Sequence, residues 1–212
     1  SCLMPIYDAV RHSGKFNFAG CQLPLPQPLN IPQWKEALDG YSDSIIVQYL
    51  QFGWPIGYTS SQFPIHRAQN HYSALAYPEH VAKYLTTEVK HGAILGPFTA
   101  PPFTHFHLSP LMTRPKKDSS DRRVIVDLSF PHGTSVNDGI PRDDYLGQCY
   151  RLQYPGVDCL VSKILDYGRG CHIFKIDLAR AYRHFRVDVS TYSMLMLEWE
   201  GLYYIDISVP FG

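Results

Sequence analysis

Residues 194–209, MLMLEWEGLYYIDISV, consist of two apolar runs, rich in aromatic and branched side chains, broken only at Glu200-Gly201. That pattern reads as an antiparallel hairpin turning at the dipeptide. Upstream, Arg122 to Leu128, RRVIVDL, is a compact β-branched run and hence a strand, and HIFKIDL reads as a second, buried strand over His172 to Ile176.

Outside these runs the apolar residues of several segments keep helical spacing. Pro32 precedes Trp34, Ala37, Leu38 and Tyr41, and Ser42 or Asp43 caps a segment with Ile45, Ile46, Tyr49 and Leu50 on one face before Gly53. From Tyr77 the spacing predicts a longer helix, with Pro78 at its start, a stripe of Val81, Tyr84, Leu85 and Val89, and Lys90 and His91 before Gly92. Leu160, Val161, Ile164 and Leu165 predict a short helix capped by Asp158 and ended by Gly168. The prolines of ILGPFTAPPFTHFHLSPLMTRPKK exclude a helix and confine any strand there to edge or irregular positions. Segment 54–76 has no clear repeat, and residues 1–31, with Pro5, Pro24, Pro26 and Pro28, read as an extended leader. Strands interleaved with helices, plus a terminal hairpin, make the fold class α+β.

Composition narrows the functions. With 212 residues, 45% hydrophobic and 18% charged, the chain is an ordinary globular one, not a disordered or collagen-like one. Its formal net charge of +0 supplies no global field toward nucleic acid or anionic membrane, so any polyanion site is local. The five cysteines Cys2, Cys21, Cys149, Cys159 and Cys171 are odd in number and lack CxxC spacing, so neither a zinc ribbon nor a disulfide framework is expected, and no disulfide partner is evident. His105-x-His107 and the pair His66 and His71 do not carry zinc-site spacing. No stretch has the apolar length of a signal peptide or membrane span. The expected location is intracellular, in cytoplasm or nucleus. The start without Met and the stop at VPFG after a strand-like run predict a piece of a longer chain.

Two clusters carry candidate chemistry. Asp177 leaves the HIFKIDL run into a turn, where a carboxylate is either a cap or a hard oxygen ligand for Mg²⁺. Arg114 to Asp127, RPKKDSSDRRVIVD, places Lys116 and Lys117 before a DSSD turn and Arg122 and Arg123 after it, which is either a solvated tip or a ring of cations round one phosphate. Arg180, Arg183 and Arg186 recur every three residues, near one helical face.

The order of these pieces adds specificity. PKKDSSDRRVIVDLS, then SVNDGIP, a short helix, FKIDLARAYRHFRVD, a hairpin and VPFG together resemble reverse transcriptases of retroelements. HGAILGPFTAPPF before SPLMTRPKK is similar to the DIRS-type, tyrosine-recombinase-bearing group. The likeness covers residues 88–212 well and 30–87 more loosely. It implies fingers and a partial palm of a right-hand polymerase, divided as an extended leader (1–31), a helical segment preceding the fingers (32–96), fingers (97–170) and partial palm (171–212). FKIDL resembles the first palm motif, which implies that Asp177 binds both catalytic metals, two Mg²⁺ with Mn²⁺ as a substitute, and that the Leu178 carbonyl is a further ligand. Arg180 and Ala181 match the turn that meets the incoming triphosphate, and Tyr182 the aromatic gate that excludes a ribose 2′-hydroxyl. Lys116 and Arg123 match the fingers cations on the β and γ phosphates, and Pro210, Phe211 and Gly212 the motif packing on template and nucleotide. The implied reaction is template-directed nucleotidyl transfer from a dNTP to a primer 3′-hydroxyl, with RNA or DNA template-primer as partner.

The family's second and third carboxylates lie in a YxDD hairpin, and this chain has none; its one DD pair, Asp143-Asp144, precedes Asp177 in a loop. The expectation is therefore a fragment truncated before that hairpin and inactive alone. A non-catalytic nucleic-acid-binding or interaction remnant stands as the alternative, followed by an unrelated α+β domain.

Overall fold

The computed structural model describes residues 25, 28–64, 67–149, 151 and 153–210. Two short helices come first. α1, Ile31–Ala37, is capped by Asn30, whose side chain accepts from the Gln33 amide at 3.3 Å, with Pro32 in the first turn, where its missing donor costs nothing. α2, Ile45–Phe52, is supported by Asp43, whose Oδ1 accepts from the Ile45 amide at 3.2 Å, and it stops at Gly53. A single turn, α3 (Tyr72–Leu75), precedes α4, Pro78–Lys90, which buries Val81 and Leu85 from the expected stripe and also buries Glu88.

Three strands form the main sheet: β1 (Ile94–Phe98), β6 (Met196–Trp199) and β7 (Leu202–Asp206), in the order β1-β7-β6 and antiparallel throughout. The turn between β6 and β7 lies at Glu200-Gly201 as expected, with φ of 51° and 78°, the left-handed pair a two-residue hairpin needs. β1 is an edge strand, where its proline is tolerated. Its register shifts between Leu95 and Phe98, and there Gly96 has φ 133° and lies so close to β7 that a Cβ would stand 2.8 Å from the Tyr204 ring. A second hairpin pairs β2 (Leu111–Pro115) with β3 (Arg122–Val126), and a small ribbon pairs β4 (Asp144–Tyr145) with β5 (Gln148–Cys149).

The core lies where α4, the β1-β7-β6 sheet and the β2-β3 hairpin converge. Val81, Ile94, Leu111, Val136, Met196, Leu197 and Ile205 are fully enclosed there. Leu108 bridges to Met196, and Arg186 bridges to Ser208, tying the loops to the sheet.

Two expectations fail. His172 to Ile176 is not a buried strand: residues 172–180 are exposed and residues 171–178 have no regular structure. The apolar alternation there supplies propensity, but a strand also needs a neighbour to complete its ladder, and among the described residues none pairs with it. Asp158 does not cap the helix after it. α5, Val157–Tyr167, takes Gly156 as its N-cap, and Asp158 sits inside the first turn, where a carboxylate favours the helix dipole. Its end at Gly168, φ 79°, is as expected. Among the described residues no helix is long and apolar enough to cross a membrane.

Candidate nucleotide-binding cleft

The β2-β3 hairpin, one face of α4 and the chain from Asp177 to Arg183 enclose a cleft of about 780 Å³. It gathers Lys116 and Arg123 from the hairpin, Asp177, Leu178, Arg180, Ala181 and Tyr182 from the later segment, and Lys83, Tyr84 and Glu88 from α4. Residues singled out in two distant stretches of the sequence thus line one space.

Their surroundings differ. Asp177 is exposed and, among the described residues, its carboxylate enters no ion pair or hydrogen bond. Arg123 is likewise exposed and without an ion-pair partner among the described residues. Lys116 and Lys83 reach opposite oxygens of Asp121, Nζ to Oδ2 at 3.6 Å and Nζ to Oδ1 at 3.7 Å, weak contacts between half-exposed groups that an arriving anion can displace. Arg122 is committed elsewhere: its guanidinium lies 3.8 Å over the Tyr77 ring and its Nε donates to Thr113 Oγ1 at 2.8 Å. The DSSD turn therefore brings Lys116, Arg122 and Arg123 to the cleft, with the Arg122 guanidinium already engaged by Tyr77 and Thr113.

The three arginines do not form a surface stripe. Residues 181–184 make a short 3₁₀ turn, and Arg180 and Arg183 both close on Glu88, while the buried Arg186 donates to Ser208 Oγ. Arg183 also gives Nη1 to both oxygens of Asp206, at 2.7 Å and 2.8 Å. Burial works against the Arg183 charge, but the Asp206 carboxylate, with Glu88, outweighs it and holds the guanidinium protonated, well above its ordinary value. Burial pushes the Asp206 carboxyl up, and Arg183 pulls it back. Burial, reinforced by Asp206, likewise raises the Tyr84 phenol and keeps it neutral. Sequence reasoning missed Glu88 and Asp206. The signal was present: Glu88 stands at i+4 from Tyr84 and i+7 from Val81, on the apolar stripe, and Asp206 interrupts an apolar strand between Ile205 and Ile207.

Pro210 is not in the cleft. It lines an adjoining apolar cavity of about 600 Å³ with Trp34, Trp54, Tyr145 and Phe185, and Tyr182 forms the wall common to both spaces. Phe211 and Gly212 lie outside the described residues, as do Cys2, Cys21 and His66. His71 contacts Asp127 at 3.0 Å, and the buried His107 sets Nδ1 2.7 Å from the Pro64 carbonyl. Among the described residues no three His, Cys, Asp or Glu side chains converge as a metal-ligand group.

No protein-family model and no curated protein matches this chain. Solved structures do. The foamy virus protease-reverse transcriptase in complex with double-stranded DNA aligns with a TM-score of 0.50 at 14% identity, over 89% of this chain and 40% of that one. The chain has a reverse-transcriptase-like fold. The same viral protein in complex with an RNA/DNA hybrid aligns with a TM-score of 0.48 at 14% identity, over 99% of this chain and 25% of that one. The native prototype foamy virus protein gives 0.47 at 15% identity, over 88% and 23%. The chain thus spans well under half the length of these reverse transcriptases.

Proposed function

We propose that this chain is the fingers (97–170) and early palm (171–212) of a retroelement reverse transcriptase, of the DIRS type by its HGAILGPFTAPPF stretch, and that its cleft receives a deoxynucleoside triphosphate. One observation carries the reading: an unpaired carboxylate, Asp177, shares a cleft with Lys116, Arg123 and Arg180, cations drawn from two distant segments. A basic pocket with one free acid suits a polyanion that arrives with a hard cation.

In this reading Lys116 acts as a point charge and Arg123 as a planar fork on the terminal phosphates. The Arg180-Ala181 turn offers its backbone to the triphosphate, and the half-exposed Tyr182 ring lies under the sugar, where a 2′-hydroxyl would collide with it. Asp177 and the Leu178 carbonyl would hold Mg²⁺ or Mn²⁺, oxygen donors that suit an ion sharing its shell with substrate phosphates. When bound, such an ion supplies Lewis-acid stabilisation of phosphoryl charge. The described residues fit one such ion, because the other cleft carboxylates, Asp121 and Glu88, are already ion-paired. The chain is therefore expected to bind nucleotide without extending a primer. Pro210, Phe211 and Gly212 would pack on template and nucleotide beyond Tyr182.

Titration of Mg-dATP against the folded protein tests this. Binding is expected at low salt, weakened about tenfold or more by Lys116→Ala with Arg123→Ala, because each removes a charge-assisted contact. Tyr182→Val is expected to bring ATP and dATP to similar affinity. Absence of triphosphate binding at low salt sinks the reading, and Mg²⁺-dependent primer extension lost on Asp177→Asn sinks the claim that the chain does not extend. A second reading, a non-catalytic nucleic-acid-binding remnant, draws on the exposed rings of Tyr167 and Phe174, which line one surface pocket with Lys163 and Arg169, as stacking faces beside cations. Template-primer binding without any triphosphate binding would favour it.

A further inference from the structure

We propose that Glu88 is a positioning residue that aims Arg180 into the cleft, as the outer end of a relay Asp206–Arg183–Glu88–Arg180 anchored in the main sheet. The inference rests on the nucleotide reading and names the group that shapes its phosphate end.

The geometry is that of a fork held from behind. Glu88 Oε1 lies 2.9 Å from Arg180 Nη1 in an ion pair, and Oε2 accepts from Arg180 Nη2 at 3.0 Å and from Arg183 Nε at 2.9 Å. Two contacts to one guanidinium fix its plane as well as its position. Charge alternates along the relay, from Asp206 on β7 through Arg183 and Glu88 to Arg180. Side-chain exposure falls at 1% for Asp206, 7% for Glu88 and 10% for Arg183, then reaches 34% at Arg180. Three members are thus locked in protein; Glu88 and Arg183 also line the cleft, but Arg180 is the most exposed of the four.

Arg180 also needs a holder. Its backbone is left-handed, φ 57° and ψ 34°, a region that a non-glycine residue keeps only when its surroundings fix it. His91 is close, with Nδ1 3.3 Å from Arg180 Nη1, but the same nitrogen stands 2.7 Å from the Thr87 carbonyl. Giving its proton to that carbonyl leaves Nδ1 no lone pair for Arg180. Glu88 is then the acceptor that sets the guanidinium. A carboxylate behind an arginine can orient it toward an anion or occupy it against one, and the two roles predict opposite signs.

Two readouts separate them. In native protein, phenylglyoxal labelling of Arg180, followed by mass spectrometry, is expected to speed up several-fold in Glu88→Gln while labelling of Arg123 stays constant. Mg-dATP binding is expected to weaken about tenfold in Glu88→Gln and in Arg180→Ala, with the double variant no weaker than Arg180→Ala alone, as for two residues acting through one contact. Glu88→Asp, which keeps the charge but is too short to span both nitrogens, carries the same readouts if Glu88→Gln does not fold. Unchanged Arg180 labelling in a folded variant overturns the positioning role, and so does tighter dATP binding. Faster labelling in a protein whose wild type binds no triphosphate overturns the nucleotide reading instead, and the purpose assigned to the relay with it.

Discussion

The β6-β7 hairpin and the stretch from α5 to Leu178 are both rich in large apolar side chains, yet Met196, Leu197 and Ile205 are wholly buried while Leu165, Phe174 and Ile176 are 76%, 82% and 76% exposed. Composition does not separate them; pairing does. β7 has a hydrogen-bonded neighbour on each side, and its inward residues meet α4 and the loops. Residues 171–178 have no such neighbour among the described residues, and α5 buries none of its side chains. Exposed apolar surface on this scale marks a binding face or an aggregation hazard. The cleft lies along the seam, with its acid on the uncovered stretch and its relay rooted in the covered one.

Arg183 crosses that seam and carries the largest expected effect. Arg183→Met strips the buried Asp206 and Glu88 of their shared cation, and breaking a buried pair from one side costs ~3–5 kcal/mol. Urea unfolding should register the loss, with cleft residues affected only through the fold. A loss under about 1 kcal/mol would place Arg183 with the exposed surface pairs and erase the seam.

Matched truncations separate the two regions. Ile205→Ala opens a cavity in the sheet and is expected to cost ~2–5 kcal/mol, whereas Phe174→Ala, though it removes a larger side chain, should stay within about 0.5 kcal/mol. Equal costs would mean that the 171–178 stretch packs in solution. Hydrogen exchange reads the same contrast without mutation: amides of β7 should exchange only through global opening, and those of residues 172–178 near the unprotected rate.

Much of this architecture was legible in the chain because its signals are local. The Glu200-Gly201 turn, the Pro78 start and Gly168 end of two helices, and the β3 run each follow from dihedral or capping preferences that neighbours a few residues away decide. The strand expected at His172 to Ile176 failed because local pattern reports propensity and not whether a partner is present. The site was legible in part. Asp177, Lys116 and Arg123 stood out by motif, and the fold brought them to one cleft; Glu88 and Asp206 showed in the sequence only as charges on apolar faces, and the partner they share, Arg183, is set by tertiary packing. Pro210 stood out by motif order alone, and it lines the apolar cavity that shares Tyr182 with the cleft.

The smallest expected effect belongs to the loop between β3 and β4, at the edge of that cavity. Val136 is buried in the core and Asn137 lines the cavity, while between Gly133 and Gly139 the chain is held by Asp138. Its Oδ2 accepts from Ser135 Oγ at 2.6 Å, from the Ser135 amide at 3.0 Å and from the Gly133 amide at 2.7 Å. The hydroxyl, then the amides, hold the carboxyl below its ordinary value. A lowered folded value means that the stabilisation is fully present above the usual aspartate range and is lost as pH falls through the lowered one. Amide shifts of Gly133 and Ser135 followed by NMR should therefore titrate together at an acidic midpoint below that of a free aspartate. Asp138→Asn should abolish the titration without moving the global unfolding midpoint at neutral pH by much, because the carboxylate is solvent-facing and its bonds are local. A midpoint at or above the ordinary aspartate value would show that the three hydrogen bonds do not favour the charged form, and that the loop is fixed by Val136 alone.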